Sequence, residues 1–113
     1  MQAAWSIAAA ASTLVPLPDE LSYETGAAIS CGTGTAWGAL QRLDLSGRDT
    51  IAIFGQGPVG LSATQLASAM GARVIALDTE PHRLERAKAF GAAVVVTAGI
   101  LMIWRDQRLD RAA

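Results

Sequence analysis

A single cysteine, Cys31, occurs in the 113 residues. No disulfide can form within the chain, so a disulfide-framed secreted scaffold is excluded and a reducing cytoplasm is the expected compartment. Histidine is equally scarce, with His82 alone. A basic excess is also missing. Nine Lys and Arg against ten Asp and Glu leave a net charge of −1. No basic stripe exists to neutralise phosphates, which argues against nucleic acid as a partner; the scattered cations read as solvated helix faces. The apolar start, "MQAAWSIAAAAS", has no Lys or Arg ahead of it, and a secretory signal needs that basic region. Ala89 to Trp104 is uncharged for 16 residues, whereas a spanning helix needs about 20. Gly91 and Gly99 interrupt it, so a buried strand, a turn and a short apolar helix are expected in preference to a membrane span.

What the chain does have is apolar residues, 51% against 17% charged. That balance belongs to a globular chain of at most one ordinary domain. Leu14 to Pro18, "LVPLP", is an extended lead-in, because proline biases its predecessor away from helix. Asp19 to Ser30 can form a short helix with Ser22 as N-cap. "CGTGTAWGALQRLDLSG" reads as a Gly/Thr turn and then a helix, with Trp37, Leu40 and Leu43 as its apolar stripe and Gly47 as its stop.

Alternation follows. "TIAIF" has the β-branched character of a strand buried on both faces. Val59, Ala63, Leu66 and Met70 give the next helix a core-facing side, and Gly71 ends it. "RVIALD" is a second strand ending in an acid. "EPHRLERAKAFG" is a helix with Pro81 in its first turn, Leu84 and Ala87 on one side and Gly91 at its close. "AAVVV" is a third strand. Strand, helix, strand, helix, strand over Thr50 to Val96 predicts an α/β fold with right-handed crossovers, a partial Rossmann-type doubly wound parallel sheet of about three strands. The expected organisation is a lead-in with helices over 1–49, a dinucleotide-binding half over 50–96 and a divergent tail over 97–113.

Gly55, Gly57 and Gly60 carry G-x-G-x-x-G at the bend from the first strand into its helix. The unpaired N–H groups of a helix start and the positive end of its dipole make an anion site. Gly55 permits the tight turn, Gly57 leaves room for a pyrophosphate, and Gly60 lets helix and strand approach. Asp78 ends the next strand, 23 positions after Gly55. A carboxylate there can accept both hydroxyls of an adenine-side ribose and would repel a 2′-phosphate, so NAD(H) is favoured over NADP(H). Arg83 and Arg86 keep NADP(H) open.

Taken together, "AAISCGTGTAWGAL", "FGQGPVGLSATQLA" and "GARVIALD" resemble the zinc-dependent alcohol dehydrogenases, the medium-chain dehydrogenase/reductase family. The likeness runs from about Leu14 to Val96. It implies that Cys31 is one protein ligand of a catalytic zinc, that Thr35 approaches the nicotinamide and that Val59 backs its ring. Gly55, Gly57 and Gly60 would face the pyrophosphate, Asp78 would take the adenine ribose, and Arg83 would be the basic residue beside it. The chemistry implied is NAD-linked oxidation of an alcohol, or reduction of an aldehyde, with zinc polarising the substrate oxygen.

A catalytic zinc needs about three protein ligands and an open position. The family draws its other cysteine and its histidine from an N-terminal domain that these residues do not include, and His82 belongs on the adenine side. No residue is therefore assigned a catalytic role. Cys31 as a nucleophile has no neighbouring base. The tail "TAGILMIWRDQRLDRAA" departs from the family, and the change near Thr97 reads as a truncated or frame-shifted remnant. An exposed sheet edge is expected to pair or to be capped by Leu101, Met102 and Trp104, which makes an oligomer possible. Two alternatives stand beside the oxidoreductase fragment: a nucleotide-binding module without catalysis, and a non-functional, even membrane-associated, remnant.

Overall fold

The computed structural model describes residues 8–97. The tail beyond Thr97, with Leu101, Met102 and Trp104, lies outside the described residues, as does the second part of the apolar run before Arg105. Among the described residues no helix is long and apolar enough to cross a membrane.

Ser22 caps α1 (Tyr23–Ala28) by accepting from the Thr25 backbone N–H at 3.2 Å, as its sequence position predicts. The next segment corrects the expected Gly/Thr turn. Ile29–Thr33 is a π-helical turn that runs without a break into α2 (Gly34–Arg42). Single π turns inside helices are rare and concentrate at functional positions. Two further expectations for α2 fail. Ala36 and Leu40 are its buried residues, whereas Trp37 and Leu43 are 48% and 65% exposed. The helix stops at Arg42, and Asp44 takes the left-handed turn, φ 51°, well before Gly47. Asp is one of the few non-glycine residues that adopts this conformation readily.

The alternating part is β1 (Thr50–Phe54), α3 (Pro58–Ala69), β2 (Arg73–Asp78), α4 (Pro81–Ala89) and β3 (Val94–Thr97). The strands lie side by side in the order β1-β2-β3, all parallel. Ile53 pairs with Ala76, and Leu77 with both Phe54 and Val96. Both helices begin with proline at the first position, whose missing N–H and fixed φ suit a helix start. Gly71 and Gly91 follow their ends with positive φ, 89° and 101°.

Strand order explains where the core sits. Successive right-handed crossovers in one direction put both helices on one side of the sheet, and α3 and α4 touch. Ile53 and Val74 face that side and meet Leu40 of α2 and Ala67 of α3 in one cluster. Alternate residues point the other way. Phe54 there is 75% exposed and Val94 37%. β1 is thus buried on one face only, which corrects the expectation of burial on both. On α3, three of the four expected core-facing residues, Ala63, Leu66 and Met70, pack against this cluster. Thr64 and Ala67 are the buried residues of α3, and Val59, the fourth expected, is 43% exposed.

Gly60 is where helix and strand meet most tightly. A methyl group built there would overlap the Gly55 carbonyl oxygen and come within 2.9 Å of its carbon. Backbone cannot give way as a flexible side chain can. Gly60→Ala should therefore destabilise the chain by about 1–3 kcal/mol, the usual cost of forcing extra volume into packed structure. Urea unfolding followed by circular dichroism checks this; a variant of unchanged midpoint would contradict the packing described.

Candidate functional site

The site lies where β1 and β2 end and α3 begins. Gly55 makes the bend with φ +85°, a conformation glycine adopts without steric cost. Its N–H donates to the Leu77 carbonyl at 2.7 Å, so the loop is still paired with β2 as it turns. Gly57 is the N-cap of α3, in extended conformation and with no side chain capping the helix. The first N–H groups of a helix have no partner within it. Pro58 has none to offer, and the Leu61 N–H donates to Gly57 oxygen. Among the described residues, the N–H groups of Gly57, Val59 and Gly60 have no protein acceptor.

Asp78 closes the site from the tip of β2. It is buried, about 5% exposed. Oδ2 accepts the Gln56 N–H at 2.6 Å, and Oδ1 accepts the Glu80 N–H at 2.9 Å. Arg83 Nη1 lies 3.8 Å from Oδ2. The N–H of Gln56 chiefly, then that of Glu80, and more weakly the Arg83 charge, outweigh desolvation and hold the carboxyl below the ordinary carboxylate range. An ionised carboxylate has about four acceptor sites, so the two backbone donors leave one on each oxygen. Asp78, the residue expected to take a ribose, also ties two loops together through these bonds.

Gln56, Gly57, Pro58, Leu61, His82, Arg83 and Arg86 line an open groove of about 300 Å³ beside the loop. His82, the expected surface histidine, is indeed exposed, with Nδ1 3.7 Å from Glu80 Oε2. Thr35 sits exposed in the first turn of α2, and Val59 in the first turn of α3.

Cys31 is exposed in the π turn. That turn rests on the start of α3: Thr33 Oγ1 is 3.3 Å from Ser62 Oγ, and a methyl group at Gly32 would be 3.9 Å from the Pro58 oxygen. The fold thus brings the cysteine turn and the glycine loop to the same helix end. No group of three or more His, Cys, Asp or Glu that could hold a metal forms among the described residues. The described donors do not by themselves fit a zinc ion, which wants about three.

Two residues of the site escaped the sequence reading, Gln56 and Thr64. The Gln56 side chain is buried beneath the loop, donating through Nε2 to the Ile53 carbonyl at 3.0 Å and accepting through Oε1 from Thr64 Oγ1 at 2.9 Å. A polar residue between two glycines, with a hydroxyl eight positions on along the helix, is the only sign of them in the sequence.

A parallel sheet whose first crossover opens on a glycine loop, with an acid at the next strand tip, defines a Rossmann-type α/β half. The zinc-binding dehydrogenase family model matches residues 58–109. An uncharacterised zinc-type alcohol dehydrogenase-like protein of Escherichia coli is 51% identical over 79 residues, 69% of this chain and 22% of that protein. Among solved structures, acetophenone reductase from Geotrichum candidum in complex with NAD superposes with a TM-score of 0.73 at 33% identity, covering 77% of this chain and 26% of its own. Quinone oxidoreductase from Thermus thermophilus, solved also with NADPH, gives 0.67 at 35% identity, covering 74% and 29%. The chain belongs to the zinc-dependent alcohol dehydrogenase, or medium-chain dehydrogenase/reductase, family as its cofactor-binding part. It spans about a quarter of the length of these relatives.

Replacing Asp78 tests the tie. In Asp78→Asn an amide NH₂ must face one of the two N–H donors, and hydrogen bonds to a charged group are worth about 1.5–3 kcal/mol. A loss of that size is expected at pH 7. Because the folded carboxyl titrates below its unfolded value of about 3.9, its contribution is complete above that pH and vanishes as pH falls through the folded value. Urea midpoints from pH 7 to pH 3 should fall more for the wild type than for Asp78→Asn, so that the gap between them narrows toward pH 3; parallel curves would contradict the assignment.

Proposed function

We propose that this chain is the dinucleotide-binding half of a zinc-dependent, NAD-linked alcohol or aldehyde oxidoreductase. The observation that carries the reading is the space at Gly57. A methyl group built there meets nothing within 4 Å, and the backbone, φ −74°, needs no glycine. Unlike Gly55 and Gly60, this glycine is demanded neither by its backbone angles nor by close packing. It fits a phosphate brought against the loop, where a Cβ would stand between the ligand and the N–H groups.

The other roles follow from the same seating. The diphosphate would take the free N–H groups of Gly57, Val59 and Gly60, with the α3 dipole favouring its charge. The adenine ribose would use the acceptor sites left on Asp78, with Arg83 beside it. A carboxylate kept ionised there disfavours a 2′-phosphate, which supports NAD(H) over NADP(H); Arg83 and Arg86 in the groove are what a 2′-phosphate would use instead. Thr35 and Val59, on helix starts that converge through the Thr33–Ser62 contact, would meet the nicotinamide. That ring, when bound, exchanges a hydride with the substrate carbon. Cys31 would contribute one zinc ligand, the rest coming from outside these residues.

In this reading 50–96 is the binding half and 1–49 leads in from the part that completes the metal site. The open sheet face at Phe54 and the edge of β1 are where more strands or a second copy would add. The exposed free thiol of Cys31 fits a reducing cytoplasm. The unfilled donor set favours the second reading, a module that binds a dinucleotide and does no chemistry by itself.

Titration of NADH fluorescence, with NADPH in parallel, tests the proposal. Binding is expected, tighter for NADH. Gly57→Ala should cost no more than about 1 kcal/mol of stability, for the poorer helix cap, yet weaken NADH at least tenfold. A wild type that binds neither nucleotide, or a Gly57→Ala variant that binds NADH unchanged, overturns the reading.

A further inference from the structure

We propose that Gln56 is a positioning residue, whose side chain holds the glycine loop in its binding conformation without touching the ligand. The inference rests on the dinucleotide reading above. Glycine on both sides leaves this loop without stiffness of its own, so its shape must be imposed from elsewhere. Gln56 is 3% exposed. A buried amide is tolerated only when its hydrogen bonds are made, and here they reach three elements. Nε2 donates to Ile53 at the end of β1, Oε1 accepts from Thr64 on α3, and the backbone N–H donates to Asp78 at the tip of β2. Thr64 is itself fully buried, so its hydroxyl has Gln56 as its partner or is left unsatisfied. With the Gln56 side chain turned under the loop and its N–H engaged by Asp78, the N–H groups that follow are the ones left for an anion.

The size of the effect follows from population. If the loop holds its binding shape only a fraction of the time, the apparent dissociation constant rises by the inverse of that fraction. Gln56→Leu keeps the bulk and removes both side-chain bonds. A loop ordered about one-tenth of the time would bind about tenfold more weakly. Thr64→Val removes one bond and should weaken binding by a smaller factor, about threefold on the same arithmetic.

Calorimetric titration with ADP-ribose, on samples checked for folding by circular dichroism, decides the matter. Gln56→Glu supplies a readout that simple loss of stability would not move. As a carboxylate it cannot donate to the Ile53 carbonyl; once protonated it can, and burial raises the pH at which that happens. Its affinity should recover as pH falls from about 8 to about 6 by more than the wild type's changes over the same range. Asp78, Glu80, His82, Arg83 and Arg86 are the charged or titratable groups around the groove, α3 and β1 contribute none, and the wild-type profile accounts for all five. Gln56→Leu or Thr64→Val, folded and binding ADP-ribose as the wild type does, overturns the proposal. So does a flat profile for Gln56→Glu. Where Gln56→Leu does not fold, the other two variants decide. A wild type that binds no ADP-ribose is a separate outcome, and it removes the dinucleotide reading itself.

Discussion

The short hydrogen bond from the Gln56 N–H to Asp78 Oδ2, 2.6 Å, is the constraint on which the site depends. It joins the loop that ends one strand to the acid that ends the next. Its two partners are 22 residues apart and separated by a whole crossover helix. Neither the anion site proposed at the α3 start nor the ribose role proposed for Asp78 is of use unless the two are held side by side. A charge-assisted bond in a buried place, backed by the Glu80 N–H and Arg83, is strong enough to do so.

That constraint also sets the shape of the rest. Paired strands fix the distance between the two tips, and Gly60 lets α3 come down on β1 so that its first turn lies over the loop. Core residues Leu40, Ile53, Ala67 and Val74 lock α2 and α3 to the sheet on one side. The opposite side of the sheet stays open at Phe54 and Val94, as a set of three strands with both helices on one face must leave it. Relatives about three times as long have chain enough to cover it.

The alternation of strand and helix was legible because each element has its own punctuation. Pro58 and Pro81 open helices, Gly71 and Gly91 close them, and β-branched runs lie between. Family likeness was legible for a similar reason, since its motifs are local strings. Facing was harder to read. Trp37 and Leu43 belong to an apolar spacing, but the packing of α2 on α3 selects Ala36 and Leu40, and no spacing along one helix can anticipate which stripe its neighbour covers. β1 looked buried on both sides because its residues are apolar; how many layers cover a sheet is a property of all the strands together. The π turn at Ile29–Thr33 was hidden by glycines and threonines that ordinarily spell a loop. Gln56 and Thr64 were hidden by being polar, since burial of a polar pair shows only once its partners are in place.

Cys31, Thr35 and Val59 are carried by elements that reach the same helix end, and the zinc role proposed for Cys31 needs donors that the described residues do not supply. Binding of a dinucleotide diphosphate at the α3 start does not. Amide-resolved NMR during addition of ADP-ribose tests that claim most directly. The account predicts shifts concentrated at the N–H signals of Gly57, Val59 and Gly60, with smaller ones at Gln56 and Glu80 around Asp78. Saturable shifts centred elsewhere, or none at millimolar ligand, would contradict it.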